Sequence, residues 1–320
     1  MVGPPVGGFL TTFLSWHWIF LINIPIGLAG IVFAIKILPD AGIRVRDKVD
    51  WTGFLLSGTA TSGIVFGLSV ISLPVLPPVW ALAMPGIGIL SLLAYLRHAR
   101  AHPKPLLDPK IFRNRTFSLS LLGSSLFRVG SGAVPFLLPL MLQLGFGLNP
   151  FQSGAITFVS AIGAIMSKFI AERIFSRFGF PRVLGFAAVF GGLLIAAQGL
   201  FTTETPVAVM MIILVAGGVL RSIFFTGTNA IGYADVSDEE ASQATAIVAV
   251  GQQLSVAFGV AVAGAILEIT SIFSGGHLTL LNFQIAFFAV GGMSALAGII
   301  YFRLPHDAGN NVSGHRAVRE

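Results

Sequence analysis

The chain is a succession of apolar stretches, most of them close to twenty residues long, and this spacing constrains it more than any other feature. A helix rises 1.5 Å per residue, so about twenty apolar residues cross the hydrocarbon core of a bilayer. Ten candidate spans can be marked, at roughly 1–14, 17–38, 51–73, 79–98, 117–144, 152–175, 181–202, 206–229, 241–271 and 282–304. All but the first reach spanning length, and the first reads as a helix whose beginning lies outside the chain. Charged residues make up only 10% of the 320, against about 25% in soluble domains. So few charges do not cover a soluble protein of this size, but they do cover the loops of one embedded in lipid. The 28 phenylalanines exclude disorder. The fold class expected is an all-α polytopic membrane protein with about ten transmembrane helices.

The loops carry a one-sided charge pattern. Basic residues occur at Arg44, Arg46 and Lys48, then at Arg97, Arg100, Lys104, Lys110, Arg113 and Arg115. They recur at Arg173, Arg177 and Arg182, and at Arg303, Arg316 and Arg319. The intervening connections near 15–17, 74–78, 145–151, 202–205 and 272–281 hold no Lys or Arg. The loop 230–240 falls on the basic side by parity but is acidic, with Asp235, Asp238, Glu239 and Glu240; acidic residues count little toward orientation. By the positive-inside rule the basic loops and the C-terminal tail are expected in the cytoplasm. The net charge of +6 is therefore a topology signal, and nucleic acid is not an expected partner. Trp16 and Trp18 flank an outer turn as interfacial anchors, with His17 as a bystander between them.

Some residues do not belong in lipid. Arg128, Lys168 and Arg221 lie within spans. A charge at a helix centre costs at least ~2.5 kcal/mol even on insertion scales, so each is expected to face the bundle interior or a wet cavity. At 1.5 Å per residue Arg128 lies roughly 16 Å, Arg221 roughly 12 Å and Lys168 about 10 Å from its helix end. For the two arginines a cavity role is favoured over a structural ion pair. Lys168 can instead reach the interface or pair with Glu172 one turn on. Gln252, Gln253 and Asn229 can line a pathway or bond to a neighbouring helix, as can Asn23. Glu172 and Glu268 lie near span ends, and neither reads as a mid-membrane proton carrier. Gly259 and Gly264, with Ala257, Ala261 and Ala265, and Gly291, Ala295 and Gly298, form small-residue faces that allow close helix approach in lipid.

Signatures of soluble enzymes are missing. There is no P-loop, nucleophile elbow or HExxH. Cysteine is absent, and the six histidines are read as dispersed and without metal spacing. No catalytic residue, metal or cofactor is expected.

Two motifs carry a family resemblance. Gly3-Pro4-Pro5-Val6-Gly7-Gly8 reads G-P-x-x-G-G at the opening of a membrane helix. It is followed by Trp16-His17-Trp18-Ile19-Phe20-Leu21-Ile22-Asn23-Ile24-Pro25-Ile26-Gly27. Together they resemble the antiporter motif and next helix of the fourteen-helix drug:proton antiporters of the major facilitator superfamily, the EmrB/QacA type. Val49-Asp50-Trp51-Thr52-Gly53 resembles the start of that family's seventh helix. The run from Arg128 through Pro135 and Pro139 to Gln143, the stretch Phe178–Leu184, and Arg221-Ser222 with Asn229, Ala234-Asp235 and Gln252-Gln253 are similar to one branch of it.

The resemblance implies a major facilitator fold that begins at the family's fifth helix, N-terminally truncated by four. Residues 1–38 would be the last two helices of the first bundle, and 39–116 two linker helices with cytoplasmic loops. Residues 117–304 would be a complete six-helix second bundle, and 305–320 a cytoplasmic tail. Gly3, Pro4, Gly7 and Gly8 would form the antiporter motif, a half-to-half contact and hinge. Arg128, Arg221, Lys168, Gln252, Gln253 and Asn229 are the cavity, substrate or coupling candidates. The first helix of each three-helix repeat lines the cavity in this fold, and Arg128 and Arg221 sit on two such helices.

The function implied is secondary active efflux of drugs or other small amphipathic compounds, coupled to proton entry across the bacterial inner membrane. Its partners would be a lipophilic small molecule, protons, the lipid bilayer and an N-terminal half or upstream segment. Two alternatives stay open beside it: a truncated fragment that transports nothing, and an exporter of a natural metabolite. A membrane-embedded assembly partner is a third.

Overall fold

The computed structural model describes residues 3–37, 50–71, 78–234 and 236–305. Among these there is no strand. The helices are α1 (Gly3–Phe13), α2 (Trp18–Leu21), α3 (Asn23–Ile37), α4 (Trp51–Ile71), α5 (Pro78–Ala101) and α6 (Arg115–Leu140). They continue as α7 (Pro150–Phe178), α8 (Phe180–Gln198), α9 (Val207–Tyr233), α10 (Asp238–Phe273) and α11 (Leu280–Phe302). The basic residues Arg44, Arg46, Lys48, Arg316 and Arg319 lie outside the described residues, as does Asp235.

Helix is found at all ten expected spans, but among the described residues seven are long and apolar enough to cross a membrane by length and composition. These are the α2–α3 unit (Trp18–Ile37), α6 with its extension to Gly145, and α7 to α11. Three expected spans fall outside that set. α1 is only 11 residues long. α4 and α5 are 21- and 24-residue helices; Thr, Ser and Gly recur through α4, and the end of α5 is basic.

The boundaries follow local chemistry. Asn114 caps α6 by accepting from the Phe117 N–H at 3.1 Å. Asn149 and Gln152 form a capping box at the start of α7, with Pro150 in the first turn. α7 and α8 meet at Gly179, whose φ of 74° lies in the left-handed region that glycine adopts without a Cβ clash. α6 contains Pro135 and Pro139 and runs on into a π-helical turn, Met141–Gly145, closed by Phe146 N–H donating to the Met141 carbonyl at 3.2 Å.

α6 to α11 form one bundle. α11 packs against α8 and α6, α7 against α9, and α10 against α6. Two apolar clusters fill it, one around Leu137, Met141, Phe283 and Phe287, the other around Phe127, Leu184, Phe224 and Tyr301. In lipid the drive for helix association is van der Waals contact and interhelical hydrogen bonding, so backbone proximity decides. α8 and α11 touch through two glycines: a Cβ on Gly291 would lie 2.7 Å from the Gly192 carbonyl oxygen, and one on Gly192 would press equally on that of Gly291. Polar stitches cross the same interfaces. The Tyr301 hydroxyl donates to the Ser120 carbonyl at 3.0 Å, and the Ser167 hydroxyl to that of Ser222 at 2.7 Å.

α4 and α5 pack on each other and reach the bundle through α10. Their base is knotted by Asp50, which accepts from the Gly53 N–H at 2.8 Å and the Leu106 N–H at 3.3 Å and pairs with His98 Nε2 at 2.9 Å. Burial works to raise the Asp50 pKa, but the Gly53 N–H, His98 and the Leu106 N–H outweigh it and hold the carboxyl below its ordinary value. The connection that follows is tied to α10 where the Asp108 N–H donates to Gln243 Oε1 at 3.1 Å.

Candidate functional site

A cavity of about 470 Å³ opens between α1, α6, α7, α8 and α9. That volume falls in the range of small-molecule sites, ~300–1,000 Å³. Its wall is mostly apolar: Phe127, Val134 and Leu138 from α6, Phe158 from α7, Ile195 from α8 and Leu214 from α9. Pro135, Pro139 and Pro150 also border it.

Among the described residues Arg221 is the single charged side chain in this wall, and no carboxylate joins it there. Among the described residues its guanidinium has no ion-pair or hydrogen-bond partner. Two further polar atoms stay unpaired nearby. Ser153 Oγ and Gln198 Oε1 are buried in the wall without a partner, on residues that are 0% and 4% exposed. A buried polar atom left unpaired costs roughly 1–3 kcal/mol. The wall therefore combines one cation with polar side chains such as Ser131 and Gln143, while the unpaired Ser153 and Gln198 oxygens lie just behind its surface.

Arg128 stands next to this cavity, not in its wall. It lines a more open hollow of about 530 Å³ with Phe136, Phe225, Val256 and Val260, and Arg221, Ser131 and Pro135 border both spaces. The Arg128 guanidinium lies 4.0 Å from the centroid of the Phe225 ring, a cation–π contact that replaces a counter-ion. Its Nε is buried without a partner.

The other sequence candidates are distributed differently. Gly7, Gly8 and Thr11 of α1 border the cavity, beside Pro150 and Ser153. Gly3 and Pro4 belong to the first turn of the same helix. Lys168 stays outside, donating to Thr226 Oγ1 at 3.1 Å on an exposed face, and among the described residues no ion pair joins it to Glu172. Asn229 lines a separate gap of about 10 Å³ near Ser120 and Tyr233. Gln252 is half-buried and Gln253 exposed, and neither borders either space. Glu172 and Glu268 are exposed as well.

Sequence reasoning passed over Ser153 and Gln198, whose only signal was a polar side chain within an apolar run. It also passed over a grouping of Asp50, His98 and His102, whose ligating atoms all lie within 4.8 Å of one another. Reading the histidines as lacking metal spacing overlooked that four residues is one helical turn, and that Asp50 is supplied from a different helix start.

Residues 120–319 match the sequence pattern of the Major Facilitator Superfamily. The chain is also similar to proteins named "Putative multidrug resistance protein MdtD" from three sources. The one from Klebsiella pneumoniae subsp. pneumoniae is 33% identical over 329 residues, covering 100% of this chain and 68% of that protein. The Escherichia coli O7:K1 protein is 33% identical over 327 residues and the Escherichia fergusonii protein 33% over 328, each with the same coverage.

Proposed function

Because the chain belongs to the major facilitator superfamily, we propose that it performs secondary active efflux of small amphipathic compounds across the bacterial inner membrane, driven by proton entry. The observation that carries this reading is the 470 Å³ cavity with Arg221 as its one charge. An apolar wall accepts many lipophilic shapes, while a few placed polar groups fix orientation. The positive charge and the absence of a carboxylate in the wall favour neutral and anionic amphiphiles over cations. Relatives named for multidrug resistance support the drug class.

Transport works by alternating access, in which two bundles rock about a site at the midplane. In this chain residues 1–38 act as part of one bundle, 117–304 as the other, and 39–116 as the linker, with the tail 305–320 in the cytoplasm. α1 is the sliding contact, because Gly8 lets it lie directly on the start of α7. The chain spans 68% of the length of the Klebsiella pneumoniae relative.

The test is energised efflux from cells stripped of other pumps, using paired anionic, neutral and cationic dyes of similar lipophilicity. Efflux abolished by a protonophore, and reduced for anionic and neutral dyes by Arg221→Ala, supports the assignment. Dye retention equal to that of empty-vector cells for all three probes refutes it.

A further inference from the structure

We propose that Asp50, His98 and His102 form a binding site for a divalent d-block cation of the zinc class, at the base of the α4–α5 pair. Nothing in the transport reading requires this site. The three side chains supply one carboxylate oxygen and two imidazole nitrogens, a donor set that suits zinc, copper and nickel better than calcium or magnesium. Three protein ligands leave a fourth, open position in a tetrahedral zinc shell.

Local geometry brings them together. His98 and His102 are four residues apart at the end of α5, with the His102 N–H bonded to the His98 carbonyl at 2.9 Å, so both rings lie on one face. Their centroids are 5.1 Å apart with planes inclined by 34°. Asp50 arrives from the start of α4, and its Oδ1 lies 2.9 Å from His98 Nε2. Bonds of about 2.0–2.2 Å in a tetrahedron place ligand atoms roughly 3.3 Å apart. One pair is already inside that distance, and the whole set lies within 4.8 Å. Closing the site takes a modest swing of the His102 ring, which is half-buried and accepts only a long bond, 3.3 Å, from the Lys104 N–H.

The surroundings fit a ligand site. The Asp50 carboxylate, whose side chain is 4% exposed, is oriented by the Gly53 and Leu106 N–H groups, the kind of outer hydrogen bonding that aims metal-binding carboxylates. Arg97 and Arg100, on the same turn as His98, are exposed, so neither fills the space between the ligands. A bound cation would fasten the base of α4 to the end of α5, where the connection leading to α10 begins.

The experiment uses the full chain, purified in detergent with a tag free of histidine and stripped by chelator. Co²⁺ binding is followed by visible absorption and Zn²⁺ binding by calorimetry, together with the thermal shift that each ion produces. One ion per chain is expected. His102→Ala leaves the Asp50–His98 pair in place and so preserves the fold, yet it weakens binding by more than the roughly 10–100-fold typical of outer-shell losses. It also removes the thermal shift. His277→Ala, at an exposed loop residue, changes neither readout. Absence of saturable binding to the wild-type chain overturns the proposal, and so does equal binding by the His102→Ala chain.

Discussion

The Ser294 hydroxyl of α11 donates to the Phe127 carbonyl oxygen of α6 at 2.9 Å, one residue before Arg128. This bond needs the two backbones almost in contact, and Gly130 makes that possible: a Cβ there would meet the Val290 carbonyl oxygen and Ser294 Oγ. Gly130→Ala is therefore expected to destabilise the bundle by the 1–3 kcal/mol typical of overpacking. A thermal melt in detergent checks this, and an unchanged midpoint would show that α6 and α11 can separate at no cost.

Gly7 and Gly8 are neighbours with different demands. A Cβ on Gly8 would lie 2.7 Å from the Pro150 carbonyl oxygen, whereas one on Gly7 meets nothing within 4 Å. Gly8→Ala is expected to impair efflux severely, and Gly7→Ala to leave it near wild type. Parallel efflux rates at matched expression decide the matter. Equal loss in both would mean that the motif acts through something other than the α1–α7 contact.

Arg221→Ala is expected to slow efflux of anionic probes by at least about tenfold, because a hydrogen bond to a charged group contributes roughly 1.5–3 kcal/mol. Arg221→Lys should recover part of that rate, since it restores the charge without the planar fork. Arg128→Ala should cost less, as that guanidinium sits over Phe225 in the adjoining hollow. Concentration-dependent uptake into everted vesicles separates the three variants.

Asp50→Ala removes a helix cap and two longer-range partners together. A lost cap alone costs about 0.5–2 kcal/mol. The expected signature is local: faster amide exchange at Gly53 and Leu106, with the α8–α11 interface still protected. Exchange measured by mass spectrometry would contradict this if the whole bundle loosened equally.

The helices were readable because lipid imposes their length, and the two half-buried arginines because a charge in an apolar run has a cost that something must offset. Ser153 and Gln198 were not readable. A serine in such a run commonly bonds to its own helix, as Ser255 does to the Gly251 carbonyl at 2.6 Å, so residue type does not distinguish the satisfied hydroxyl from the unsatisfied one. Rotation about the helix axis decides, and span length carries no information on rotation. The same limit separates Arg221 from Lys168, which lie at similar expected depth on facing helices, but Arg221 reaches a cavity while Lys168 is exposed and bonds to Thr226. Asp50, His98 and His102 illustrate a different gap. Their proximity depends on how α4 packs on α5, which no spacing along the chain encodes.

Pro135 and Pro139 have no N–H to offer the carbonyls of Ser131 and Pro135 one turn earlier, and all three of these residues border the cavity. Each such oxygen is a standing request for a hydrogen-bond donor at a depth where lipid supplies none. The consequence expected is a pathway that holds water at rest, so that a cargo molecule enters by exchanging places with solvent instead of filling a dry hole. Compounds carrying a donor that can take over one of these oxygens give up less on entering than purely greasy ones, so affinity should not rise monotonically with lipophilicity along a congeneric series.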